Sequence, residues 1–297
     1  MRYYLFIIVC LIASCGSSTS TPSAIVFQTD FGVKDGAVSA MKGVAHDVDP
    51  GIPLYDLTHE IPAYNIWEAA YRLNQTAPYW PKGTIFVSVV DPGVGTARRP
   101  VVLKTRSGHY VVSPDNGTLG LIVETLGLEE IRLIDTLENR RQGSAGSHTF
   151  HGRDIFAFTA ARLAAGEIGY EKVGPLLEKQ AVEEIVYQKA AIAGNSIKGN
   201  IPVLDIQYGN VWSNIPDSLV AKSGIAHGDS LDVIILHKSN PIFTGRMPFV
   251  RTFGDVPEGR PLGYINSLGN FSVAINMGNF ADSFKVASGA EWSIMVK

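Results

Sequence analysis

Cysteine is nearly absent from this chain of 297 residues: there are two, Cys10 and Cys15, and both lie close to the start. Everything after them lacks the means for a disulfide, a thiolate nucleophile or a zinc–thiolate site. Charge of one sign never accumulates either. Lys and Arg number 25 against 28 Asp and Glu, a formal charge of −3, and the basic residues are scattered. A nucleic-acid partner, which calls for clustered cations, is therefore not expected. No apolar stretch reaches the roughly 20 residues of a membrane-spanning helix. There is also no internal repeat.

What the chain does have is 45% hydrophobic residues, 30 Gly and 16 Pro, enough for two packed domains with many turns. Its first residues form a separate unit. Met1-Arg2 is a short positive start, Tyr3 to Leu11 is apolar, and Ile12-Ala13-Ser14-Cys15 ends on small residues and a cysteine. This pattern resembles a bacterial lipoprotein signal, with 1–14 as signal peptide, Cys15 as the lipidated residue and 15–23 as a tether. It places the protein, as an expectation, at the cell envelope on a lipid anchor.

From Ile25 the pattern alternates. An apolar strand runs into Asp30-Phe31-Gly32; a helix is expected over Ala37 to Val48; a second strand, Pro53 to Leu57, leads into Thr58-His59-Glu60. A helix over Ile66 to Gln75, a strand over Ile85 to Val90, a hairpin within Val101 to Val112 and a helix from Thr118 follow. A further helix is expected over Ile155 to Ala165. Strands and helices in this alternation imply an α/β domain, 24–189, with a mostly parallel sheet. Residues 190–200 read as a polar linker. Beyond them, short apolar runs between frequent turns predict an all-β barrel domain over 201–297.

The most informative stretch is Val87 to Pro100. A run of β-branched residues stops at Asp91, followed by Pro92 and two glycines, with Arg98 and Arg99 seven and eight positions after the acid. Ligands of open α/β sheets collect at the carboxyl ends of strands, and a glycine loop lets backbone approach them. An acid there with a nearby guanidinium is either a charge pair across a pocket or a salt bridge beside a tight turn.

Other stretches decide between these. Thr29 to Gly32 (TDFG), Asp56 to Pro62 (DLTHEIP), Val89 to Pro100, Ser113 to Leu119 (SPDNGTL), Thr149 to Ala157 (TFHGRDIFA), Asp205 to Ile215 (DIQYGNVWSNI), Arg251 to Asp255 (RTFGD) and Tyr264 to Gly269 (YINSLG) occur in this order. Together they resemble the S-adenosylmethionine hydroxide adenosyltransferases, relatives of the fluorinases and chlorinases. The resemblance implies an N-terminal α/β domain with a C-terminal β-barrel, and a homotrimer whose sites lie between subunits. It also implies hydrolysis of S-adenosylmethionine by water at the ribose C5′, without metal or cofactor.

By the same resemblance Asp91, Arg98 and His151 handle the water: Asp91 and His151 orient it and take its proton, and Arg98 keeps the carboxylate charged. Halide-using relatives carry uncharged groups in place of the acid and the histidine, since a carboxylate repels an incoming halide. Asp30 is implied as acceptor for the ribose hydroxyls and Tyr64 as an aromatic wall, with Val94 close to C5′. Asp205 and Asn210 match residues holding the methionine amino group and the adenine side. Trp212 and Phe253 supply faces for the purine, Asn214 its edge, and Ser267 the methionine carboxylate. Leu268 departs from relatives with a polar or basic residue there. Two other functions fit the residues alone: a metal-dependent nucleoside or phosphate ester hydrolase using Asp30, Asp35, His59 and Asp91, and a lipid-tethered nucleoside-binding protein without catalysis.

Overall fold

A computed structural model of the chain describes residues 23–297. The expected signal peptide, Cys15 and the tether up to residue 22 lie outside the described residues. Among the described residues no helix is long and apolar enough to cross a membrane.

The first part is a helix-covered sheet. Its elements are β1 (Ile25–Thr29), α1 (Ala37–Val48), β2 (Leu54–Thr58), α2 (Ile66–Thr76), β3 (Ile85–Val89), β4 (Pro100–Thr105), β5 (Tyr110–Pro114), α3 (Gly120–Leu126) and β6 (Leu128–Leu133), followed by a π-helical turn, Gly152–Ala157, and α4 (Phe158–Ala164). The strand order is β2-β1-β3-β5-β4-β6. Strands β2, β1, β3 and β5 run parallel, but β4 is antiparallel to both β5 and β6, so the sheet is mixed, with three parallel pairings and two antiparallel ones. The cause is the tight β4–β5 hairpin, whose Thr105 hydroxyl accepts the His109 N–H at 2.9 Å.

Strands β1 and β3 are buried at every position because helices cover both faces. Ile25 and Phe27 pack with Met41 and Ala45 of α1 and Ala160 of α4, whereas Val26 faces Leu73 of α2 and Ile122 of α3. Removing the fully buried Phe27 ring would cost about 3–5 kcal/mol. The register pairs Ile25 with Ile85 and Thr29 with Val89. The two strands thus end level, and Asp30 and Asp91 emerge at one edge of the sheet.

The second part is antiparallel. It comprises β7 (Ala191–Ala193), β8 (Ser196–Ile201), β9 (Val203–Asp205), β10 (Asn210–Pro216), α5 (Asp217–Lys222), β11 (Ser230–His237), β12 (Asn240–Pro248), β13 (Pro261–Ile265), β14 (Asn270–Ile275), α6 (Phe280–Phe284) and β15 (Gly289–Val296). These strands form two sheets, β13-β14-β10-β9 and β12-β11-β15-β8-β7. Both contribute to one core, with Val211, Ile215 and Phe271 meeting Ile197, Val233 and Ile294. The pairings among the described residues draw two sheets over a shared core, not the closed barrel expected from the sequence. The stretch expected as a linker, 190–200, is strand β7 and most of β8. Within it Asn200 is fully buried, and its Nδ2 donates to the Gly289 and Trp292 carbonyls at 2.8 and 2.6 Å.

The two parts touch along α2. Trp67 Nε1 donates to the Pro202 carbonyl at 2.7 Å, and Arg72 Nη2 to that of Leu204 at 3.2 Å. Ala70, Tyr71, Leu121 and Val203 close an apolar seam beside them.

Candidate active site

The edge where β1 and β3 end holds a cavity of about 240 Å³. Asp30, Tyr64, Asp91, Val94 and His151 all line it, joined by Phe31, Phe150 and Gly152. Arg98 stands behind the acid. Its Nε lies 2.9 and 3.0 Å from the two Asp91 oxygens, and its Nη2 donates to Oδ2 at 2.5 Å. The side chains of the pair are only 10% and 6% exposed, which makes this a buried, bidentate contact and excludes the surface salt bridge. Phe156 lies against the guanidinium, its ring centre 5.2 Å from Cζ.

The loop between acid and guanidinium is shaped for this contact. Thr96 donates its hydroxyl to the Gly93 carbonyl at 2.6 Å, and a Cβ on Gly93 would come within 3.3 Å of the Arg98 stem. Gly95 has φ +79°, a conformation that glycine adopts without cost. Asn116 anchors the strand end by donating Nδ2 to the Val90 carbonyl at 2.9 Å.

Arg98 reaches a second partner: its Nη2 lies 2.8 Å from His151 Nδ1. A guanidinium only donates, so Nδ1 must offer its lone pair, which assigns the ring as neutral with its proton on Nε2. Burial holds the imidazole below the usual histidine range, and the Arg98 charge adds to that. Nε2 is buried without a hydrogen-bond partner among the described residues. His151 therefore presents one N–H donor to whatever occupies the space beside it. The ring is carried on the N-terminal edge of the π-helical turn, and the Phe31 ring packs so close to that turn that a Cβ on Gly152 would fall 3.3 Å from it.

Asp30 accepts the Tyr64 N–H on Oδ2 at 2.9 Å, and its Oδ1 has no hydrogen-bond partner among the described residues. Tyr64 holds a left-handed backbone, φ +68°, and a largely exposed ring over the cavity mouth. Such strain in a non-glycine residue persists where its surroundings fix it.

A second, larger cleft of about 810 Å³ lies in the antiparallel part, where Asp205, Asn210, Trp212, Phe253 and Ser267 are gathered. Asn210 Nδ2 donates to Asp205 Oδ2 at 3.1 Å across the β9–β10 turn. Trp212 keeps a buried Nε1 without a partner among the described residues, and the Phe253 and Tyr264 rings stand 4.9 Å apart. Ser267 is presented by a turn that Asn266 organises, its Oδ1 accepting the Leu268 and Asn270 N–H groups at 2.9 and 3.1 Å.

Asn214 is not among the residues of this cleft. Its Oδ1 accepts the Asn200 N–H at 2.7 Å and its Nδ2 donates to the Gln188 carbonyl at 2.9 Å, so the expected purine contact is replaced by backbone bonding. The metal-ligand set suggested by the residues alone is not assembled either. The His59 nitrogens bond Thr29 and Asp56, Asp91 is held by Arg98, and the Asp35 carboxylate caps the N–H of Ala37. Sequence reading passed over Phe31, Phe150 and Gly152, although each neighbours a chosen residue, and Tyr264, Asn266 and Asn279 of the larger cleft.

A carboxylate and an imidazole bound to one guanidinium at parallel-strand tips, with a separate aromatic cleft, make up the site of an enzyme acting on a small organic molecule. The chain belongs to the SAM hydroxide adenosyltransferase family: residues 25–174 match its N-terminal domain and residues 199–293 its C-terminal domain. It is 36% identical to the (R)-S-adenosyl-L-methionine hydrolase of Salinispora tropica, over 89% of this chain and 95% of that one. It is 33% identical to the enzyme of the same name from Thermus thermophilus, over 89% and 96%. A fluorinase from an Actinoplanes species is 27% identical over 89% and 95%. The crystal structure of an uncharacterized conserved protein from Thermotoga maritima superposes with a TM-score of 0.84 at 33% identity, covering 92% of this chain and 99% of that one.

Proposed function

We propose that this chain hydrolyses S-adenosylmethionine to adenosine and methionine, with the R sulfonium form named for its relatives as the first substrate to test. Water attacks C5′ of the ribose in line with the C5′–S bond, whose electron pair leaves with sulfur. The thioether departs neutral and needs no general acid; the water's proton must be removed.

The observation that carries this reading is the Asp91–Arg98–His151 cluster on one wall of the cavity that Asp30 also lines. Because the Arg98 contact occupies Nδ1 and leaves a proton on Nε2, His151 orients the water as a donor. Proton removal falls to Asp91 alone, rather than to the pair the sequence suggested. Arg98 holds both partners in place and offsets the carboxylate charge. That carboxylate also disfavours a halide in the attacking position. Asp30 receives the ribose hydroxyls, Tyr64 and Val94 bound the sugar, Trp212 and Phe253 face the purine, Asn210 takes the adenine side, and Asp205 and Ser267 hold the amino-acid end.

The small cavity and the larger cleft share no lining residue. An adenosyl group seated in both is best accommodated when the cleft of one copy meets the cavity of the next, which supports a homotrimer with intersubunit sites. We read 24–189 as the first domain and extend the second, expected over 201–297, back to the start of β7, and keep Cys15 as a lipid anchor at the cell envelope.

Turnover in ¹⁸O-water tests the reaction: one label is expected in the 5′-oxygen of adenosine. Adenosine without label, or none formed, would overturn the reading.

A further inference from the structure

A second chain of polar groups lies behind the cavity, on the far side of Asp30 from Arg98. The Thr29 hydroxyl, fully buried, stands 2.8 Å from Nδ1 of the buried His59. His59 Nε2 lies 2.9 Å from Asp56 Oδ1, and Lys42 Nζ donates to the other Asp56 oxygen at 2.6 Å. The proton positions follow from what each group can do. The Asp56 carboxylate only accepts, so His59 carries its proton on Nε2; in that neutral tautomer Nδ1 accepts, and the Thr29 hydroxyl donates to it while Oγ1 accepts the Phe31 N–H at 3.2 Å. Burial works to raise the Asp56 carboxyl, and the bonds from His59 and Lys42 outweigh it, leaving it below the usual range.

The position of this relay is the telling feature. The Thr29 hydroxyl spans Asp30 by bonding the backbone of Phe31. The Gly32 N–H donates to the His59 carbonyl at 2.8 Å, and the Asp30 carboxylate accepts the Tyr64 N–H. Residues 59–64 thereby hold both the backbone around Asp30 and one of its carboxylate oxygens, and the open oxygen is the one left for a ligand.

We propose that Thr29 and His59 are positioning residues that aim the Asp30 carboxylate at the ribose diol, the Asp56–Lys42 pair fixing the imidazole. The inference rests on Asp30 being the ribose acceptor. A relay that only staples two loops would affect stability and nothing else; an aiming relay also sets how well the site distinguishes a ribose from a sugar without hydroxyls.

The test compares adenosine with 2′,3′-dideoxyadenosine as competitive inhibitors of S-adenosylmethionine turnover. The wild-type chain is expected to prefer adenosine. Thr29→Val, which keeps the shape and removes the hydroxyl, is expected to reduce that preference about tenfold, while Thr29→Ser restores it. Two variants of the histidine divide the relay: His59→Asn keeps an acceptor near the Nδ1 position and preserves the preference, and His59→Gln keeps only the bond towards Asp56 and loses it. Thermal melting of each variant is followed alongside. Should Thr29→Val fail to fold, the His59 pair carries the test. If the wild type shows no preference, the reading of Asp30 is wrong. If the wild type shows one and Thr29→Val and His59→Gln retain it despite lower melting temperatures, the aiming role is overturned and only the staple survives.

Discussion

The small cavity and the large cleft hold their polar groups in different ways. The cavity at the strand tips is walled by ionised or titratable groups locked to one another: Asp91 to Arg98, and Arg98 to His151. The cleft between β10 and the Ser267 turn presents mainly aromatic faces and amides, with Trp212, Phe253 and Tyr264 beside Asn210, Asn266 and Asn279, and Asp205 as its carboxylate. Charges held rigidly in a poorly solvated corner can act on a bond being made, since their orientation need not be reorganised during the reaction. Aromatic faces and neutral amides can recognise a purine and an amino acid without perturbing the chemistry. The division teaches that turnover and recognition should respond to different substitutions.

Asp91→Asn is the sharpest test of the first half. It keeps the shape and removes the base, so kcat should fall by about 10²–10⁴ while KM stays within a few-fold. A KM effect equal to the kcat effect would erase the division. The second test mixes an inactive chain with one of weakened binding. If each site joins the cavity of one copy to the cleft of another, Asp91→Asn and Trp212→Ala chains refolded together should show the unaltered KM at about a quarter of their sites. A mixture whose active sites all keep the raised KM of Trp212→Ala would place both halves of a site within one copy.

Trp212→Ala alone should raise KM about tenfold with little change in kcat, as expected for a lost stacking face. The acid side of the pH profile is a subtler probe. His151 must be neutral to accept from Arg98, and burial and that guanidinium lower its pKa. Activity should therefore hold as pH falls through about 6.5, the ordinary histidine value, and decline only at lower pH, when protonation of Nδ1 breaks the contact. His151→Asn should remove that limb; a midpoint at or above the ordinary value in the unaltered enzyme would contradict the tautomer.

The sequence was legible where one short segment carries both the element and the residue. Helix α1 spans the expected Ala37–Val48, and Asp30 and Asp91 lie just past strands whose continuous apolar runs mark them as buried. It was misleading where a distant partner satisfies a polar residue. Residues 190–200 look like a linker because of Gly194, Asn195 and Asn200, yet Gly194 and Asn195 form the turn of the β7–β8 hairpin and Asn200 finds carbonyls about ninety residues away. Strand β10 was hidden for the same reason, with Asn210, Ser213 and Asn214 interrupting its apolar positions while their side chains bond within the fold. The guanidinium link to His151 spans 53 residues, and no local pattern announces it.

Asn214 brings the smallest effect and the most direct contest between motif and geometry. Reading the motif alone gives it the purine edge, and Asn214→Ala would then raise KM at unchanged stability. In the fold its oxygen is the acceptor for the N–H of the fully buried Asn200, and Gly199 leaves room for that approach: a Cβ there would fall 2.5 Å from the same oxygen. Removing the acceptor strands a buried donor, a loss of about 1–3 kcal/mol. The melting temperature should drop by several degrees while kcat and KM hold. Gly199→Ala should mimic that loss by crowding the same contact from the other side, with the active-site residues untouched. An increase in KM for Asn214→Ala without any fall in melting temperature would return this residue to the substrate and move the boundary between scaffold and cleft by one strand.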